Sequence, residues 1–235
     1  MNEFDTAIIL FLNQYAHIST VFDKFIVVLS SNHLLKGGVI TFLLWYALFN
    51  VQDDSLRKTA FIFTILSTII AMSIARFLAI ILPLRLRPLH EESINFTLPY
   101  DVNIDLLDGW NSMPSDHATL FFTLSMCLYF VSKKIALLAF FYTTFFICLP
   151  RVYLGLHYPS DIFVGAFIGI FIARMIIQFS LLSYFSKKIS HSPFGKPPIF
   201  YALSYVFIYQ IADMFDSTRH LLKAFVLFLK SIGLS

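Results

Sequence analysis

Four apolar runs, at about residues 59–82, 115–131, 135–150 and 160–182, limit what this chain can become. Each approaches the roughly 20 residues needed to cross a bilayer. A further span is expected at about 35–50, and a shorter sixth run covers 199–212. Composition agrees: 58% of residues are hydrophobic, 28 are Phe, and 13% are charged, against about 25% charged in soluble domains. Mean hydropathy is +0.76. The expectation is an all-α protein, a polytopic transmembrane helix bundle with about six spans. Residues 1–235 form one domain, with its core at 35–186.

The flanks are less regular. Residues 4–32 mix apolar groups with Asn13, Gln14, His17, Asp23, Lys24 and Asn32, which predicts an amphipathic N-terminal segment, 1–34, at the membrane interface. Beyond Pro197 and Pro198, the stretch 197–235 is expected to hold the sixth span and an amphipathic tail at 219–232. The acidic opening, Glu3 and Asp5, lacks the features of a removable signal peptide. Cys127 and Cys148 lie inside apolar runs and read as buried thiols.

Net charge is only +3, and the basic residues gather at the ends of apolar runs, so no nucleic-acid partner is expected. If the spans alternate, Arg57/Lys58, Lys133/Lys134 and Lys187/Lys188 share one side, which should be cytoplasmic. Arg85, Arg87 and Arg151 then lie on the other side, against the charge bias.

Three clusters converge on that other side: Pro83 to Pro88, Met113 to His117, and Arg151 to Asp161. Ionisable groups at membrane depth read by default as a functional site. Pro114 and Pro159 stand where helices begin, and helix N-termini offer free N–H groups and a positive dipole end to an anion. Arg87, Arg151 and Arg85 add donors suited to phosphate oxygens, and Ser115 offers one more. His117 and His157 supply one group to attack and one to deliver a proton. Asp161, four residues after His157, is placed to orient the imidazole. Each cluster taken singly also reads as an ordinary helix start or interfacial anchor, with Asp116 and Asp161 near N3. Together they converge on an anion pocket.

Arg151-x5-His157-x3-Asp161 and Pro114-Ser115-Asp116-His117 resemble the last and middle signatures of the type 2 phosphatidic acid phosphatase superfamily. Arg87-Pro88 resembles the end of the first. The spacing fits as well, with 25 residues between Pro88 and Pro114 and 33 between His117 and Arg151. The resemblance implies that His157 is the nucleophile that forms a phosphohistidine, that Asp161 orients it, and that His117 protonates the leaving group. Arg87, Arg151, Ser115 and the backbone of Asp116 would hold the phosphoryl oxygens. It implies no metal and no cofactor, in keeping with the lack of a clear metal-ligand set.

Three positions depart from the pattern. The first-motif lysine falls at Ile80, and Arg76 or Arg85 is a candidate to replace it. Asp116 stands in place of a glycine, so its carboxylate must be compensated or point away. Pro150 stands where serine is frequent. The expected activity is hydrolysis of a lipid phosphate or diphosphate at the non-cytoplasmic face of a bacterial inner membrane. The partners would be a lipid phosphate substrate and membrane lipids. Candidate substrates are polyprenyl diphosphate (undecaprenyl among them), phosphatidic acid and phosphatidylglycerophosphate. Alternatives are a phosphotransferase with an alcohol acceptor and a non-enzymatic phospholipid-binding or transport protein. Phe96, Leu98, Leu106, Leu107 and Trp110 are read as a lid, and Gly165 and Gly169 as a close-packing face.

Overall fold

The computed structural model of the protein describes residues 2–105, 107–178, 196–218, 221, 224 and 226. All regular structure among them is helical. The chain begins with α1 (Glu3–Asn13) and α2 (Thr20–Ser31), followed by a π turn (Leu34–Gly38) that runs into α3 (Val39–Phe49). After α4 (Asp54–Ile81), an irregular stretch reaches α5 (Asp116–Val131). Next, α6 (Lys133–Tyr142), a second π turn (Thr143–Cys148) and α7 (Leu149–Tyr153) make one continuous helix, and α8 (Pro159–Gln178) and α9 (Pro197–Ala212) follow. Lys187 and Lys188, Leu106 and most of the tail 219–232 lie outside the described residues.

This is an integral membrane bundle. Among the described residues three helices, α4, the α6–α7 unit and α8, are long and apolar enough to cross a membrane. The α2–α3 pair adds a fourth if a 66° bend is counted within one span. The runs read at 115–131 and 199–212 become helices of 16 residues each, about 24 Å long. They are short for a hydrocarbon core of about 30 Å.

Two boundaries differ from the sequence reading. Asp53 caps α4 by accepting from the Ser55 N–H at 2.8 Å, so residues 54–58 are helical rather than part of a loop. At the other end, the unit containing the 135–150 run continues through Tyr153, which places Arg151 on a helix.

The N-terminal segment corrects a larger expectation. Its amphipathicity is real, but its polar face turns inward. Asp5 and Asp23 are fully buried, and Asn13 exchanges two hydrogen bonds with the Thr97 backbone at 2.7 and 2.8 Å. Phe11, Ile18, Val21 and Phe25 face outward. In a membrane the apolar face can meet lipid while polar groups find partners inside, the reverse of a helix lying on the surface.

α5 sits at the centre, packed against α4 and α8, and buries Leu120, Phe121, Leu124 and Leu128. Its Thr119, Thr123 and Ser125 hydroxyls donate to carbonyls four residues back, at 3.0, 2.6 and 2.8 Å. The interior therefore carries polar side chains whose donors are satisfied within the helix. Gly165 and Gly169 let α8 approach closely: a Cβ at these positions would stand 2.6 Å from the Ser115 carbonyl oxygen and 2.5 Å from that of Thr119. That contact sets the spacing between the two helix starts that bear the signature residues. Cys127 and Cys148 are free and buried, as expected.

Candidate active site

The start of α8 is built first by its own sequence. Asp161, at the third helical position, reaches back to accept from the Tyr158 N–H at 2.8 Å, a reciprocal form of helix capping. The same Oδ2 accepts from Ser112 Oγ at 2.5 Å, and Oδ1 accepts from Arg85 Nη1 at 2.6 Å. The Ser115 N–H donates to the Asp161 carbonyl at 3.2 Å. The first turns of α5 and α8 are thus joined by backbone, with the bond running through the residue that also holds the loop before α5.

His157 lies buried in the link between α7 and α8. Its Nδ1 is 2.9 Å from the Ser112 carbonyl oxygen and 3.7 Å from Asp161 Oδ2. The nearest acceptor is therefore a backbone carbonyl, and Asp161 acts on the ring both directly, as a longer charge pair, and through Ser112. This refines the expected direct Asp161–His157 pairing. The cause is competition, since Ser112, Tyr158 and Arg85 already occupy the carboxylate. With Nδ1–H donated to Ser112, Nε2 carries the lone pair. Burial is the main cause that holds the imidazole below its ordinary pKa; the Asp161 carboxylate pulls it back up, and the Arg87 and Arg151 charges push it down. His157 is accordingly neutral near pH 7, the form a nucleophile requires.

His157 and His117 both face a cavity of about 900 Å³, together with Arg76, Arg87, Arg151, Pro114 and Asp116. Arg87 donates through Nη1 to the Leu156 carbonyl and stands 3.4 Å from His157 Nε2. Arg151 donates to the Ser30 carbonyl at 3.3 Å. Both guanidinium groups are buried, and among the described residues neither Nε finds an acceptor. Unsatisfied buried donors beside a cavity fit an anion such as a phosphoryl group.

The remaining candidates divide. Asp116, at the first position of α5 rather than N3, is compensated: its Oδ2 meets Arg76 Nη2 at 2.6 Å. Ser115 does not line the cavity; it is the N-cap of α5, and its Oγ accepts from the Ala118 N–H at 3.4 Å. Arg85 does not line it either. Its guanidinium bridges Asp161 and Asp5, donates to Ser160 Oγ at 2.8 Å, and lies 4.1 Å from the centre of the Tyr158 ring. Two buried carboxylates outcompete a phosphate for that arginine. Ile80 borders the cavity but stands 81% exposed and offers no donor.

Sequence reasoning missed Ser112, Asp5 and Asn111. Asn111 Oδ1 accepts from the Arg85 and Met113 N–H groups at 3.3 and 3.2 Å, tying two signature segments together. None of the three has a local pattern that marks it. Of the residues read as a lid, Leu107 and Trp110 line the cavity, whereas Phe96 and Leu98 pack against the cluster of Leu89 and Leu154. No metal-ligand set was expected, yet His33, Asp213 and Asp216 each offer a ligand atom, all within 4.8 Å of one another.

Residues 80–184 match the PAP2 superfamily, so the family resemblance holds over the segment that carries all three signatures. The chain is 35% identical over 66 residues to the bacitracin transport permease protein BcrC of Bacillus licheniformis, a match covering 28% of this chain and 32% of that protein. The chain thus spans about a third of the length of this curated relative. The crystal structure of Aquifex aeolicus LpxE is 28% identical with a TM-score of 0.48, covering 74% of this chain and 94% of that one.

Proposed function

We propose that this protein is a membrane phosphatase that hydrolyses a lipid phosphate or diphosphate through a phosphohistidine on His157. The observation that carries the reading is the imidazole itself: held below its ordinary pKa by burial, placed with Nδ1 against the Ser112 carbonyl, and beside buried arginines whose Nε donors find no acceptor among the described residues.

In the first step, His157 Nε2 attacks phosphorus in line, forming an N–P bond as the P–O bond to the leaving group breaks. Protonated His117 delivers its proton to the departing oxygen. In the second step, neutral His117 takes a proton from water, whose oxygen attacks phosphorus. The N–P bond breaks, releasing phosphate and restoring His157. Arg87, Arg151 and the free N–H groups at the start of α5 carry the charge on the transferring oxygens. These groups supply the positive charge of the reaction, and no step calls for a metal ion.

The topology favours the non-cytoplasmic face. Arg57 and Lys58 begin α4 and Lys133 and Lys134 begin α6, while the cavity lies at the far ends of these helical units. A bacterial inner membrane with the pocket facing the periplasm fits this orientation. A pocket near the headgroup level suits an amphiphilic substrate.

The test is phosphate release by purified protein from phosphatidic acid, phosphatidylglycerophosphate and polyprenyl diphosphate, with His157→Ala in parallel. The expected result is release by the wild type, at least a thousandfold less by the variant, and acid-labile phosphate trapped on His157. Equal release by both proteins would sink the mechanism.

A further inference from the structure

The cavity contains a cation that none of the three signatures supplies. Lys36 lines the same wall as Arg151 and His157, is only 6% exposed, and comes from the first π turn, outside the matched segment 80–184. We propose that Lys36 is a phosphate-binding residue of this pocket, supplying from a different helix the contact that Ile80 cannot make. The proposal rests on the lipid-phosphate reading above and deepens it.

Elimination is the first argument. Of the two arginines able to replace a lysine at Ile80, Arg76 is paired with Asp116 at 2.6 Å, and Arg85 is held between Asp5 and Asp161 at 2.6 Å each. Among the described residues, Lys36 is the lysine on the cavity wall.

Placement is the second. The backbone around Lys36 is fixed on both sides. Tyr142 Oη donates to the Leu35 carbonyl at 2.6 Å, and Gly37 lies so close to the end of α9 that a Cβ would stand 2.3 Å from the Ala212 carbonyl oxygen. A π turn releases carbonyls from the regular helix ladder and shifts the side chains that follow, and such turns recur at functional sites. Here it aims a lysine from an apolar span into the pocket.

Electrostatics is the third. Lys36 shares the pocket with Arg151, while Asp213 and Asp216 are its acidic neighbours. Asp216 lines the same cavity and, with Asp213, partly offsets the Lys36 charge. Lys36, Arg87 and Arg151 are buried at a cavity that Asp101, Asp116 and Asp216 also line, and a bound anion would offset the buried cations further. A phosphoryl oxygen between Lys36 and Arg151 would meet that need, with the ammonium acting as a point charge beside a guanidinium fork.

The experiment is a calorimetric titration of the full chain in detergent with inorganic phosphate, for the wild type, Lys36→Met and Lys36→Arg. Loss of one charge-assisted contact predicts roughly tenfold to hundredfold weaker binding for Lys36→Met and substantial recovery for Lys36→Arg. Thermal midpoints should stay close to that of the wild type. Unchanged phosphate affinity in Lys36→Met would overturn the proposal. So would a lowered midpoint with no recovery by Lys36→Arg, because Lys36 would then serve packing or its acidic neighbours. The titration needs no turnover. Failure of the phosphatase reading would appear in the wild-type release assay, and failure of Lys36 in the titration.

Discussion

Arg76 on α4 meets Asp116 on α5 at 2.6 Å, and this pair explains how an acidic residue can line the cavity proposed to bind phosphate. Asp116 occupies the position where the family signature commonly has glycine, and its carboxylate would repel a phosphoryl group if left unpaired. Both side chains are partly exposed, so the pair adds little to stability. Its main effect is on the charge the substrate meets.

The first prediction follows from that pair. Arg76→Ala should lower kcat/KM by roughly tenfold or more, because an uncompensated carboxylate then faces the phosphate. Asp116→Gly should be tolerated. The double variant should lose less than the two single losses combined, and a double-mutant cycle on kcat/KM measures that coupling.

The second concerns pH. Burial holds the His157 pKa below its ordinary value of 6.5, and in the proposed mechanism only the neutral ring attacks. A group with a lowered pKa keeps its unprotonated form down through that value, so the acid limb of kcat/KM should lie below pH 6.5. Activity should fall as pH drops through the lowered pKa. Asp161 is the group that raises the pKa, so Asp161→Asn should move the limb lower still while reducing kcat through loss of positioning. A pH–rate profile of both proteins reads the shift directly.

Asp5 provides the third. It is fully buried, accepts from the Ser160 N–H at 2.9 Å and its Oγ at 2.6 Å, and meets Arg85 at 2.6 Å. Asp5→Ala would leave Arg85 with Asp161 and the Ser160 hydroxyl oxygen, and the Ser160 N–H and O–H donors without their acceptor. Breaking a buried pair costs about 3–5 kcal/mol, less here because Arg85 is partly exposed. The expected loss is about 1–3 kcal/mol, read as a lowered thermal midpoint in detergent, together with a fall in kcat as Asp161 shifts.

The fourth tests helix spacing. Gly165→Ala brings a methyl group to 2.6 Å from the Ser115 carbonyl oxygen, and backbone must move to admit it. His117 follows Ser115 closely, so α5 should shift relative to His157. A displacement near 1 Å can cost about a hundredfold in rate. Phosphate release should drop well before the helical signal by circular dichroism does.

How much of this was legible beforehand depends on the range of the interaction. The apolar runs became helices, and His117, His157, Arg87 and Arg151 were brought to one cavity, because span length and alternation are local and arithmetic properties. Arg85 and Ser115 looked like phosphate ligands for a sound local reason, as donors beside the right motifs. Their hydrogen bonds went elsewhere because Asp5 and the Ala118 N–H stood nearer. Residues 4–32 looked like a surface helix pair because their polarity was visible, but its partners were not.

The order of residues by itself determined the membrane bundle, the two helix starts and the histidine pair, since each depends on chemistry carried within a few turns. Tertiary structure alone decided which charges would meet. It gave Arg85 to Asp5 across 80 residues, Asp116 to Arg76, and the His157 Nδ1 to a backbone carbonyl at Ser112. It also brought Lys36 to the pocket wall from outside the signature segment. Charges buried in a membrane must find partners whatever their distance in the chain. Sequence names the candidates, and packing chooses among them.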